Sequence, residues 1–118
     1  MDQDLLYEFI VPAPHVFNFV ESFWMLENRS EHAKEVLILP DGRVDLFFSK
    51  SAAGTFQVTL LGIGTMPDTS SIEPKTTIFA ISFKLPGVEY ILKHPIASLI
   101  NSGENLPRDF WHFDVTIL

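Results

Sequence analysis

Along this chain the spacing of the apolar residues changes once, and that change limits the possible folds more than any other feature. From residue 17 to residue 85 the apolar residues fall in short strand-like runs; after Pro86-Gly87 they recur at three- and four-residue intervals. A period of two puts successive side chains on opposite faces of a sheet, whereas a period near 3.6 gathers them on one stripe of a helix. Strands followed by segregated helices point to a mainly β (α+β) fold, a sheet curled into a barrel or sandwich and closed by two short C-terminal helices. At 118 residues, one domain spanning 1–118 is expected, large enough to bury a core without disulfides or a structural metal.

Residues 17–26, FNFVESFWML, carry aromatic and β-branched residues on both parities, which predicts a strand covered on both faces. NRSEH then supplies a polar turn, and Glu35 to Leu39 (EVLIL) and Arg43 to Ser49 (RVDLFFS) read as two strands. Pro40-Asp41-Gly42 between them predicts a hairpin: Pro presets the first corner, and Gly takes the left-handed position. KSAAG predicts a further turn, and Thr55 to Ile63 a strand in which Phe56, Val58 and Leu60 alternate with Gln57 and Thr59. Residues 64–74, GTMPDTSSIEP, have the composition of a mobile surface loop. In the strand expected over 75–85, Ile78, Ala80 and Ser82 oppose Thr77, Phe79, Ile81 and Phe83.

Beyond Gly87 a helical appendix is expected over about 87–102. VEYILKH puts Val88, Ile91 and Leu92 on one face of a short helix that Pro95 stops, since proline disfavours the α conformation at His94. PIASLINSG opens on proline, stripes Ile96, Leu99 and Ile100, and predicts Gly103 as its C-cap. Val88, Ile91, Leu92, Leu99 and Ile100 are therefore the candidates for helix packing or a subunit contact.

No apolar run approaches the roughly 20 residues that span a bilayer, and MDQDLLYEF is acidic where a secretory leader is basic, so a cytoplasmic protein without membrane association is expected. The absence of cysteine fits a reducing compartment and removes disulfides, cysteine nucleophiles and thiolate zinc sites from consideration. A net charge of −7 with scattered basic residues repels a phosphate backbone, so these residues are not expected to bind DNA by themselves.

Catalytic patterns are weak. His15, His32, His94 and His112 are spread along the chain with no pair close enough in sequence to suggest metal ligation. GIGT at 62–65 lacks the further glycine and the strand-to-helix setting of a phosphate cradle, and Ser49, Ser51, Ser82 and Ser98 have no nucleophile-elbow context. A protein that is not an enzyme, with no cofactor and no metal, is the expectation.

Arg43, Asp45 and Phe47 are the more informative set, because strand alternation puts them on one face and Val44, Leu46 and Phe48 on the other. Two readings stand: the charges are solvated or paired across the sheet, or they line a concave interior and orient a small molecule among apolar walls. Trp24 and Phe83, like Phe79 and Tyr90, belong to a core or to a ligand wall, and Trp24 needs a partner for its indole N–H if buried. LPRDFW at 106–111 is either a packed terminal turn or a docking segment.

VESFWML at 20–26, LPDGRVDLFF at 39–48 and FKLPGVEYILKHPIASLINSGENLPRDFW at 83–111 occur in an order that resembles the amino-terminal, ligand-sensing half of AraC-type (AraC/XylS) transcriptional regulators. The similarity is to the variant whose first domain is described only as a domain of unknown function. Trp24, Pro40, Asp41, Gly42, Asp45, Phe83, Pro86 and Gly87 occupy the matching positions, and Asp45 is the match that turn chemistry does not require. The resemblance implies a cupin-like β-barrel that binds a small-molecule effector, a helical pair used to form a homodimer, and DNA binding only through a C-terminal helix-turn-helix domain. No recognition-helix pattern follows Trp111, so that domain either lies outside these residues or does not occur in the protein, and DNA binding is carried over to none of these residues. Trp24, Arg43, Asp45, Phe47 and Phe83 are then the candidate effector-binding residues; a small cupin-like enzyme and a dimerisation module without a ligand are the alternatives.

Overall fold

Alternation along the chain is what builds the sheets. A computed structural model describes residues 4–38, 42–96 and 99–107. The elements are β1 (Leu5–Ile10), α1 (Pro14–Phe17), β2 (Val20–Asn28), β3 (Lys34–Ile38), β4 (Val44–Ser51), β5 (Phe56–Leu61), β6 (Asp68–Ile72), β7 (Thr76–Phe83), α2 (Leu85–Gly87) running into a π-helical turn (Val88–Leu92), and β8 (Gly103–Leu106). Six strands form an antiparallel sheet in the order β1-β2-β7-β4-β5-β8, and β3 and β6 form a separate antiparallel pair.

β4 has a neighbour on each side, pairing Leu46 with Leu60 of β5 and with Ile81 of β7. Its Val44, Leu46 and Phe48 all turn to one face, where Val58, Leu60 and Phe83 join them. That face is the core. Leu106 of β8 extends that face, and Val88 and Leu92 of the π-helical turn, with Leu99, pack against it as a cover. The opposite face carries Asp45, Phe47 and Ser49 of β4 and looks toward β3 and β6.

The cover sits close to the chain beneath it. The Phe19 carbonyl accepts a 2.9 Å hydrogen bond from the Lys84 N–H, and a Cβ added at Gly87 would stand 2.0 Å from that same oxygen. Gly87→Ala must therefore push backbone apart. Overpacking of this kind is expected to cost about 2–3 kcal/mol, seen as a lower urea midpoint at unchanged slope.

Several expectations are corrected. The hairpin expected between the second and third strands does not form: β3 pairs with β6, while both edges of β4 are taken by β5 and β7. Leu39, Pro40 and Asp41 lie outside the described residues, and Gly42 holds the expected left-handed φ of 73°. Residues 64–74 are not all loop, because Asp68–Ile72 is β6; its serines and threonine look like turn composition, yet Ser70 and Ile72 alternate inward. The strand expected from Phe17 starts at Val20, after a helical turn with Pro14 at its head. β1 is not among the expected strands, the first of which begins at Phe17, although its residues, like those of β2, are apolar on both parities.

The second helix expected over 95–103 is not found among the described residues there. Leu99 to Asn101 make a turn, and Gly103 opens β8 instead of capping a helix. β5 has an edge to be filled, and Asn105 of β8 answers it by accepting from Gln57 at 2.7 Å and Thr59 at 3.1 Å. Nor do Ile91 and Ile100 pack as expected; both are exposed. The Lys93 N–H reaches the Val88 carbonyl at 2.8 Å, an i to i+5 bond whose wider turn aligns Val88 with Leu92 and swings Ile91 outward. Ala97, Ser98 and the stretch from Arg108 on, with His112 and most of LPRDFW, lie outside the described residues.

Candidate functional site

The site begins with an irregularity in β2. Val20 pairs with Phe83 and Ser22 with Ser82, so Glu21 is an extra residue in the ladder. A bulge of this type re-aims the side chains beyond it. Val20 consequently enters the core, while Ser22, Trp24 and Leu26 turn to the other face.

Between that face and the β3–β6 pair lies an open cleft of about 940 Å³. Its floor includes Trp24, Asp45, Phe47 and Ser82 from the large sheet; Val36, Ile38, Ser70 and Ile72 come from the small one, and Tyr7 and Phe9 of β1 form a rim. The size suits a small organic molecule.

Three adjacent strands join at its centre. Ala80 of β7 lies between Trp24 of β2 and Phe47 of β4 in the ladder. Because alanine is small, the two rings lean over it and meet edge to face with centroids 5.4 Å apart. Tyr7 approaches the far side of Trp24 at 6.1 Å. One step along, the Trp24 indole N–H donates to Ser82 Oγ at 3.2 Å, and the Ser82 hydroxyl donates to Asp45 Oδ1 at 2.5 Å. The hydroxyl that accepts from the indole is thereby oriented on the carboxylate, which fixes the rotamers of all three side chains.

Arg43 stands to one side. It lines a smaller hollow of about 240 Å³ that shares Ile38, Asp45 and Leu61 with the cleft. Its Nη2 lies 3.2 Å from Glu21 Oε2, and Lys84 Nζ lies 3.7 Å from the same oxygen, so the bulge residue collects both cations. These pairs are partly solvated and add little stability. Phe83 is corrected as a wall residue: it is 1 % exposed on the core face, because its neighbour Ser82 takes the cleft face. On β2 beyond the cleft, Glu27 has its pKa held below the ordinary carboxylate value of 4.5, chiefly by the hydrogen bond from Arg29; burial opposes that effect, and the Arg29 charge and Thr77 add to it.

The structure thus brings Trp24, Asp45 and Phe47 together, places Arg43 beside them and removes Phe83. Ser82 and the β1 aromatics are site residues that the sequence does not single out. Alternation in IFAISF does set Ser82 apart from Phe83, whereas Tyr7 and Phe9 need β1 to be recognised. Among the described residues no group of three or more His, Cys, Asp or Glu side chains is placed to hold a metal ion, and no helix is long and apolar enough to cross a membrane.

No curated protein and no solved structure matches the chain. A family model does, over residues 8–105, a span that takes in β2 to β7 whole, most of β8 and the second half of β1, with the bulge and the cleft floor. The chain therefore belongs to the family described as "Domain of unknown function (DUF6597)".

Proposed function

We propose that this domain is the effector-sensing and dimerising module of an AraC-type transcription regulator, with its cleft as the effector site. It acts without catalysis. The observation that carries the reading is the Trp24–Ser82–Asp45 chain on the floor of an otherwise largely apolar cleft: a few oriented polar groups among aromatic walls are how small-molecule sites fix a ligand. Exposed Phe17, Leu85, Tyr90 and Ile91 on and around the helical segment support a homodimer contact there. An effector that binds one arrangement of the attached DNA-binding domains better than another shifts their populations by that difference in affinity.

The test is a thermal-shift screen of sugars, small acids, amines and neutral aromatics on the wild type and on Asp45→Ala. A compound at a hundred times its Kd stabilises the native state by about 2.7 kcal/mol. The expected result is at least one stabilising compound whose effect disappears in the variant, together with a helix-turn-helix coding segment in the reading frame beyond Leu118. Silence from every compound class, or a frame that encodes no DNA-binding domain, would count against the reading.

A further inference from the structure

The cleft floor is banded, and the bands narrow the ligand class; this step rests on the effector-site reading above. Ser22 of β2 is in register with Ser82 of β7, which is in register with Asp45 of β4. Two residues along each strand, roughly 6.7 Å away, Trp24, Ala80 and Phe47 form the next row on the same face. A polar row thus borders an aromatic one.

The hydrogens of the polar row are unevenly used. The indole N–H of Trp24 goes to Ser82, and the Ser82 hydrogen goes to Asp45. Ser22 is 4 % exposed and lines the cleft, yet its hydroxyl bonds to none of the described residues. Among those residues every side-chain oxygen or nitrogen fully closed off from solvent has a partner, so the Ser22 oxygen opens on the cleft. Ser49 and Ser70 also line it, but both are half-buried, where bulk water serves them. A hydroxyl as deep as that of Ser22, with no protein partner, calls for one that enters from the cleft. Because it both donates and accepts, the group that fits it gives and takes a hydrogen bond at a single atom, as another hydroxyl does.

The neighbouring row sets what that hydroxyl is attached to. Trp24 and Phe47 meet edge to face over Ala80, and Tyr7 flanks Trp24 at the rim. A further ring packs on such a cluster by offset or edge-to-face contact, with an attraction beyond the burial of area alone. Of the one-row gap, a hydrogen bond to Ser22 takes about 2.8 Å; a hydroxyl directly on the ring, or one carbon off it, spans the remainder.

We propose that the cleft binds a phenol or a short aryl alcohol, with its hydroxyl paired to Ser22 and its ring on Trp24 and Phe47. Ser22 determines specificity, since a ligand that cannot replace the hydrogen bonds of water at this hydroxyl loses affinity.

Chemical-shift titration of the 118-residue chain with 4-ethylphenol, its isomer 4-methylanisole and 4-ethylcyclohexanol tests the assignment. The first carries ring and hydroxyl, the second lacks the donor, and the third lacks the aromatic ring. 4-Ethylphenol is expected to bind at least about fivefold more tightly than either of the others. In Ser22→Ala its advantage over 4-methylanisole is expected to shrink to about twofold or less, while the variant melts no lower than the wild type, because the hydroxyl removed has no protein partner to strand. Equal or tighter binding of either control, an unchanged advantage in Ser22→Ala, or a destabilised or unfolded variant overturns the assignment and leaves the effector site standing. The assignment also falls if all three probes fail while another class stabilises the protein in the wider screen. If no class binds, both readings fall.

Discussion

Replacing Phe83 by alanine is expected to lower the free energy of unfolding by about 4 kcal/mol, on the order of a 15 °C fall in melting temperature for a chain of this size. The ring is 1 % exposed, in register with Val20 on one side and Val44 on the other, and its Cδ1 lies 3.0 Å from where a Cβ on Gly87 would stand. It therefore fills the junction between the sheet centre and the helical cover. Truncation leaves a cavity that β7, bonded on both edges, has little freedom to close. Urea unfolding measures the loss. The same variant also separates core from site: ligand affinity of the folded protein should be unchanged, because the side chain points away from the cleft. A loss below about 1 kcal/mol accompanied by lost ligand binding would contradict the placement.

Asn28→Ala should cost about 3 kcal/mol, although the substitution removes no large apolar group. Asn28 is fully buried at the end of β2. Its Nδ2 donates to the carbonyls of His32, Ile72 and Glu73 at 2.8, 3.0 and 3.1 Å, and its Oδ1 accepts from the Ser30 N–H and hydroxyl at 3.0 and 2.8 Å. Two amide hydrogens thus serve three carbonyls, one of them shared. One side chain ties the end of β2 to the turn before β3 and to the end of β6, which makes it the clasp between the two sheets that face each other across the cleft. Each buried partner left unsatisfied carries a desolvation cost of about 1–3 kcal/mol, partly relieved where water can enter. Hydrogen exchange should show where the cost falls: amides of β3 and β6 are expected to lose protection before those of β4 and β7. Uniform loss across both sheets would show that Asn28 is not a clasp.

Much of the fold was legible for a local reason. Cβ direction alternates along any extended chain, so VDLFF alone separated Asp45 and Phe47 from Val44, Leu46 and Phe48, and IFAISF separated Ser82 from Phe83. Strand β6 was hidden for the converse reason. Its DTSSI composition matches a loop, and what makes it a strand is the open edge of β3, paired Lys34 to Ile72 and Ile38 to Asp68. Gly103 shows the same limit, since a glycine after an apolar stripe reads as a helix end until the free edge of β5 recruits it into β8.

The candidate site divides along the same line. Sequence alone placed Asp45 and Phe47 on a shared face and marked Trp24 as a ring whose N–H needs a partner. It could not supply that partner, because Ser82 lies 58 residues away and reaches Trp24 only through the pairing of β2 with β7. Nor could it foresee that Glu21 would bulge, sending Val20 to the core and drawing Arg43 aside. Alternation comes from the covalent geometry of each residue and is present before folding. Which face becomes cleft and which becomes core depends on strands that meet only when the chain closes, because burial is a property of what lies opposite.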